Sequence, residues 1–157
     1  MEMFSLTQYN GPVWRLLPKE FVDKPSEPAK SPIGRFHHSG QIAAYASLTA
    51  EGAAVAIQRY LSDGRPRFLI PMWLNARCIA DERGNRNASI VWQDIWEAGN
   101  PSPTWEFSDA ARKAGKQAML YSSRSRPEIS HVVVFDTGCL TYVGPTSQFN
   151  SEHHYIS

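Results

Sequence analysis

The chain has 157 residues, of which 42% are hydrophobic and 20% charged, and its formal net charge is +1. That length and composition describe a globular chain able to bury a core and exclude a disordered one. The near-neutral charge excludes a broad electrostatic grip on DNA or RNA, so any arginine that matters acts locally.

The first predicted element is a short strand over residues 13–17, ended by Pro18. Pro25, Pro28 and Pro32, with charges between them, make 21–32 an irregular loop. Residues 43–47 read as a strand. Thr49 is a good N-cap for a helix over 50–61 that stops before Asp63-Gly64. Residues 67–74 form a strongly apolar strand, with a break expected at Pro71. A polar loop over 81–87 leads to a short helix over 89–97, closed by Gly99 and the Pro101-Ser102-Pro103 turn. A further helix covers 107–114, with Gly115 as its stop. Strands at 117–121 and 130–136 flank a serine-arginine loop, and 140–143 make one more strand. No element is assigned to 144–157. Short strands and short helices without regular alternation predict an α+β fold, here one domain over 1–157.

Cys78 and Cys139 have no metal-ligand spacing and form no disulfide framework, which fits a reducing cytoplasm. The N-terminus reads as lacking a signal peptide, and no apolar run reaches the ~20 residues needed to span a bilayer. His37-His38, His131 and His153-His154 suggest a metal only at first sight. Neighbouring positions aim their rings apart in regular structure, and no carboxylate cluster accompanies them, so no metal is expected.

Two loops carry the chemistry. Gly34-Arg35-Phe36-His37-His38-Ser39-Gly40, followed by Tyr45, puts a guanidinium and a flat ring just ahead of the 50–61 helix. Arginine is a fork of donors suited to phosphate, and tyrosine can stack on a base or sugar. Far downstream, Tyr121-Ser122-Ser123-Arg124-Ser125-Arg126 is a second polar cluster. Together they suggest one site for a phosphate-bearing ligand. A surface ion pair would explain Arg35 equally well, and turn formation would explain Ser122 and Ser123. No Gly-x-Ser-x-Gly elbow surrounds those serines, so a hydrolase nucleophile is not expected. Glu51, at the helix start, is explained by the helix dipole alone.

In order and spacing these pieces resemble the RES-domain family of bacterial toxins, named for an arginine, a glutamate and a serine. Val13-Trp14-Arg15-Leu16 is similar to its opening strand, and the Gly34–Gly40 loop to its glycine-arginine-aromatic motif. Tyr45-Ala46-Ser47 and the helix after it resemble its tyrosine strand and glutamate-bearing helix. Thr104-Trp105, Ala110 to Gly115, Leu120 to Arg124 and Val133 to Asp136 resemble its C-terminal half. The resemblance implies a fold similar to ADP-ribosyltransferases, NAD as the substrate, and cleavage of the nicotinamide–ribose bond. The ADP-ribose acceptor is then water, phosphate or a protein target. It also implies a helix-turn-helix, Xre-type antitoxin as partner. On this reading Arg35 binds the NAD phosphates or ribose, Tyr45 stacks on nicotinamide, and Ser123 bonds the ribose or the nicotinamide amide. Arg15 is a second, weaker cation.

The chain departs from the family at one place. Ala56 occupies the position of the family's glutamate. Glu51 lies five residues earlier and, at about 100° per residue, points roughly 140° away, so it cannot take over the geometry. Either this is a natural member with altered or absent activity, or the alanine was introduced to silence the protein. The intact surroundings favour the second. A non-catalytic nucleotide-binding or antitoxin-binding module is the competing expectation.

Overall fold

Two long strands organise the chain. β1, Tyr9–Pro18, and β3, Arg67–Ala76, pair antiparallel from Tyr9 opposite Ala76 to Pro18 opposite Arg67. The computed structural model describes residues 6–58 and 63–149. On the other side of β1 lies β2, Ala44–Ser47, then β6, Ser130–Val134, then β5, Ala118–Ser122. β4, Ile79–Asp81, adds to β5 in parallel, while the other pairs are antiparallel. β7, Leu140–Tyr142, and β8, Ser147–Phe149, share the far edge of β3. Among the described residues the result is one mixed, eight-stranded sheet with three short α-helices: α1, Ala50–Ala56; α2, Gln93–Glu97; and α3, Trp105–Lys113. The architecture is α+β, as expected.

Strand alternation sorts the side chains onto two faces. Val13, Ala44, Ala46, Ile70, Met72, Leu74, Val132 and Val134 pack together on one. Tyr45, Met119, Tyr121 and Val133 meet Phe36 and Ala111 of α3 on the other. Leu16 and Leu69 meet Ala53 of α1. Trp14 pairs with Ser47, and cross-strand partners share a face, so α1 sits on the same face as α3. Ile70, Met72, Leu74 and Val132 to Val134 are fully buried. Each such burial contributes roughly 1.5–3 kcal/mol relative to exposure.

Several elements differ from the sequence expectation for identifiable reasons. β1 begins at Tyr9, although Asn10-Gly11-Pro12 has little strand preference, because β3 offers a partner to every residue. β3 is not broken at Pro71. The Pro71 carbonyl faces the β7 side, accepting from the Val143 and Gly144 N–H groups at 3.2 Å. In an antiparallel strand a residue's N–H and C=O point the same way, so the missing donor faces the junction where β7 ends and leaves the β1 ladder intact. α1 ends at Ala56 instead of 61, and residues 59–61 lie outside the described ones. Its start is as expected: Thr49 Oγ1 accepts from the Gly52 N–H at 2.9 Å. The 89–97 helix is split into a 3₁₀ turn over Arg86–Ser89 and α2. The β8 segment falls where no element was expected.

Arg15 holds the proline-rich loop onto this sheet. It is 4% exposed; its Nε donates to the Tyr45 carbonyl at 2.9 Å, and its Nη1 to the Pro25 and Glu27 carbonyls at 2.7 and 2.8 Å. Burial pulls its pKa down to about 10, so it stays charged at neutral pH. Arg15→Met strands three carbonyls, and it should destabilise the chain by about 3–5 kcal/mol. Urea unfolding checks this; an unchanged midpoint would mean that the loop holds itself.

Candidate functional site

The 34–40 loop is shaped by close approach. The Gly34 N–H donates to the His37 carbonyl at 2.9 Å, closing a tight turn. A side chain at Gly34 would collide with the His37 ring and come within 3.0 Å of the Tyr45 hydroxyl, so glycine is required there. The beginning of α3 clamps the loop. Thr104 Oγ1 donates to the Arg35 carbonyl, and Trp105 Nε1 to the Gly34 carbonyl at 2.8 Å. His38 stacks on Trp105 with ring centroids 4.3 Å apart and bonds Asp109 at 3.0 Å. Asp109 also accepts from Gln41 Nε2 at 2.8 Å.

Tyr45 is tied at both ends. Its hydroxyl accepts from the Phe36 N–H at 2.9 Å and lies 2.7 Å from His37 Nδ1. His37 Nε2 lies 2.8 Å from the Ser31 carbonyl, which can only accept, so Nε2 carries the hydrogen. Burial lowers the His37 pKa and keeps the ring neutral, which leaves Nδ1 to accept from the Tyr45 O–H. Burial also pushes the Tyr45 hydroxyl well above its ordinary range. The hydroxyl is therefore fully engaged, and what Tyr45 offers outward is its ring.

Tyr45 lines a cleft of about 350 Å³, together with Trp14, Ser47, Ala53, Ala56 and Tyr121. The 24–31 segment supplies Lys24, Glu27 and Lys30 to its lining. Ala56 thus lines the same cleft as Tyr45. Glu51 does not: its carboxylate meets Arg126 Nη1 at 3.1 Å, with the side chain 58% exposed. The helical geometry read from the sequence holds.

Of the other expected site residues, Arg15 forms part of the cleft wall while its Nε and Nη1 fasten backbone carbonyls. Like Ser123, Arg35 is not among the residues that line this cleft. Its Nη1 donates to the Ile90 carbonyl at 2.6 Å, and its charge bears on Tyr45, Tyr121 and His131. Ser89, next to Ile90, donates to the Ser122 carbonyl at 2.6 Å, so this segment ties Arg35 to the end of β5. Ser123 follows at that end. Its Oγ accepts from the Arg126 N–H at 3.2 Å, opening the turn that carries Arg126 to Glu51. Ser122 turns elsewhere and accepts from the Gly84 N–H at 2.9 Å.

Two polar residues at the cleft, Ser47 and His131, were not singled out from the sequence as site residues, and Tyr121 was named only within the downstream polar cluster. Tyr121 lines the cleft, with its hydroxyl pushed up to about 12 by burial. Ser47 lines it and lies 2.5 Å from His131 Nδ1. Burial, helped by the Arg35 cation, pulls His131 down to about 4. Alternation along β2 is the signal that finds Ser47, since position 47 must share the face of Tyr45. Among the described residues no cluster of His, Cys, Asp and Glu could hold a metal ion, and no helix is long and apolar enough to cross a membrane.

A model of the RES domain matches residues 12–150. The chain belongs to the RES-domain family. Among solved structures, the RES chain superposes on a chain of the M. tuberculosis MbcT–MbcA toxin–antitoxin complex, with a TM-score of 0.62 at 11% identity. The match covers 96% of this chain and 90% of that one. At that identity the likeness is one of fold. No curated protein matches.

The buried histidine makes the RES chain acid-sensitive in a defined window. His131 binds its proton more weakly when folded than when unfolded, where its pKa is near 6.5. Its contribution is therefore complete above about pH 6.5 and is lost as pH falls towards about 4. The full loss is about 3 kcal/mol. His37 shifts in the same direction. Urea unfolding at pH 7.5 and pH 4.5 should show a fall in stability that shrinks in His131→Asn; an equal fall in both proteins would remove His131 as its cause.

Proposed function

We propose that this RES chain is the toxin of a toxin–antitoxin pair, and that its cleft takes NAD as substrate. Breaking the nicotinamide–ribose bond develops positive charge on the ribose, at an oxocarbenium-like centre. A carboxylate beside that centre stabilises it and orients the ribose hydroxyls. The observation that carries the reading is the position of Ala56. It lies in the cleft with Tyr45 and Tyr121, where the family's glutamate would stand, while Glu51 is turned away to Arg126. The parent activity is transfer of ADP-ribose from NAD to water, phosphate or a protein side chain, in the cytoplasm where NAD is abundant. This chain, lacking the carboxylate, is expected to be inactive or nearly so.

The roles follow from what each side chain has left to offer. The Tyr45 ring stacks on nicotinamide, since its hydroxyl is engaged with His37 and Phe36. Arg35 meets the phosphates or the ribose. Ser123 Oγ, already accepting from Arg126 N–H, donates to the ribose or the carboxamide. Arg15 adds positive potential from the wall. Ala56→Glu should raise NAD consumption by at least about a hundredfold, the size expected for a charge-stabilising group beside the reacting atoms. Product analysis after incubation with NAD measures it. Neither NAD loss nor ADP-ribosylated protein in the restored variant would end the enzymatic reading.

A second reading has the same alanine in its favour: a natural module that binds NAD or ADP-ribose and does not cleave it. Calorimetry would then show NAD binding without turnover, weakened by Arg35→Ala, with Ala56→Glu still inert. On either reading the partner is a helix-turn-helix, Xre-type antitoxin that covers the cleft. A pocket suited to phosphates also accepts an acidic group, such as a chain-terminal carboxylate, as a mimic. Antitoxin and NAD should compete; NAD affinity unchanged by saturating antitoxin would rule out occlusion.

A further inference from the structure

Among the described residues, the Ser47–His131 pair is a buried polar couple at the cleft to which the proposed chemistry gives no task. Both residues are almost fully enclosed, Ser47 at 1% and His131 at 4% exposure. They come from adjacent strands, directly opposite each other in the β2–β6 register. Their contact, Ser47 Oγ to His131 Nδ1, is 2.5 Å. Ser47 also forms part of the cleft lining, two residues along β2 from Tyr45. Tyr121 completes the surroundings, its ring 5.4 Å from that of His131.

The direction of this hydrogen bond decides what the cleft presents to a ligand. Which atom donates across this 2.5 Å contact is set by the His131 tautomer. In the tautomer with hydrogen on Nε2, the Ser47 O–H is the donor and His131 Nδ1 the acceptor. The neighbouring Arg35 cation and the burial both oppose an imidazolium, which could not accept. With its only hydrogen committed to His131, Ser47 has nothing left to donate. Its oxygen keeps lone pairs, and those are what it can offer to the cleft.

We infer that Ser47 is a ligand-binding residue, held by His131 as a fixed hydrogen-bond acceptor for a neutral donor on the bound dinucleotide. This rests on the NAD reading of the cleft. The donor is a ribose hydroxyl or the carboxamide N–H of nicotinamide; both are uncharged donors at the end of NAD that reacts. His131 is the positioning residue, because it sets the direction of the Ser47 hydroxyl without touching the ligand. Ser47 is distinct in function from Ser123, whose oxygen accepts from backbone and keeps a hydrogen to donate. The two serines thus offer the ligand opposite polarities.

The test uses the full chain, in which Ala56 permits binding to be measured without turnover. Ser47→Ala removes one atom and should weaken NAD binding roughly five- to tenfold by calorimetry. His131→Phe should weaken it by a similar factor although Ser47 is present, and the double variant should be no weaker than either alone. Two analogues separate the donors. If the ribose hydroxyl is bound, Ser47→Ala costs nothing towards NAD carrying a 2′-deoxyribose on the nicotinamide side. If the carboxamide is bound, it costs nothing towards the 3-acetylpyridine analogue. Equal losses towards NAD and both analogues would overturn the proposal in favour of a packing role, and so would an unchanged affinity for NAD. Nitrogen-15 NMR of the His131 ring gives a readout that needs no ligand. Hydrogen on Nε2 at neutral pH is expected; hydrogen on Nδ1 overturns the proposal. Should the unmutated chain bind no NAD at all, the NAD reading fails and the proposal with it, even with hydrogen on Nε2; an overturning NMR result with NAD bound leaves that reading standing.

Discussion

Tyr45 is the junction on which the arrangement of the cleft depends. Its carbonyl receives Arg15, which in turn holds the loop at Pro25 and Glu27. Its hydroxyl receives Phe36 N–H and lies against His37, which reaches on to Ser31. One residue in the middle of the sheet therefore fixes two irregular segments, 24–31 and 34–40, that have little regular structure of their own. The Tyr45 carbonyl and hydroxyl, Arg15 Nε and Nη1 and both His37 ring nitrogens all have partners within the chain. Buried polar groups are costly when stranded, so the junction forms as a unit or is lost as one. The position of Arg35 follows, because its neighbours on both sides are pinned: Gly34 by Trp105 and Phe36 by Tyr45.

The second constraint is on α1. Seven residues make too short a helix to be stable alone, so its placement comes from tertiary contacts. Thr49 caps it, and Gly52 lets it approach the sheet until a side chain there would come within 3.0 Å of Ser47 Cβ and closer still to Ile129. Glu51 anchors its outer side to Arg126. These contacts fix the rotation of the helix and so put position 56 in the cleft. The rotation that turns residue 56 towards the cleft turns Glu51 away from it, which is why the one acidic residue on α1 cannot serve the cleft.

Part of this was legible in the sequence. The apolar run at 67–74, the valines at 132–134 and the Thr49 cap carry local signals strong enough to set their elements. The Glu51 argument needed only the helical repeat, and the structure agrees with it. The limits were non-local. Residues 9–12 and 147–149 become strands because β3 presents open ladder edges, which nothing in Tyr-Asn-Gly-Pro or Ser-Gln-Phe reveals. Arg15 and Arg35 look alike as sequence, yet one has Nε and Nη1 on three backbone carbonyls while the other acts on a cluster of tyrosines and a histidine. Ser47 and His131 are 84 residues apart, and only the β2–β6 register joins them. Ser123 reads as a site serine in the motif, and its contact in the structure is that of a turn.

The claim at the centre is that NAD occupies the cleft with its nicotinamide ribose at position 56. A crystal structure of this chain grown with NAD tests it most directly, since the alanine leaves the ligand uncleaved. The expected result is nicotinamide against the Tyr45 ring, the adjoining ribose facing Ala56 Cβ, and Arg35 directed at the ribose or the phosphates. NAD bound away from Tyr45 and Ala56, or an empty cleft at saturating NAD, would contradict it.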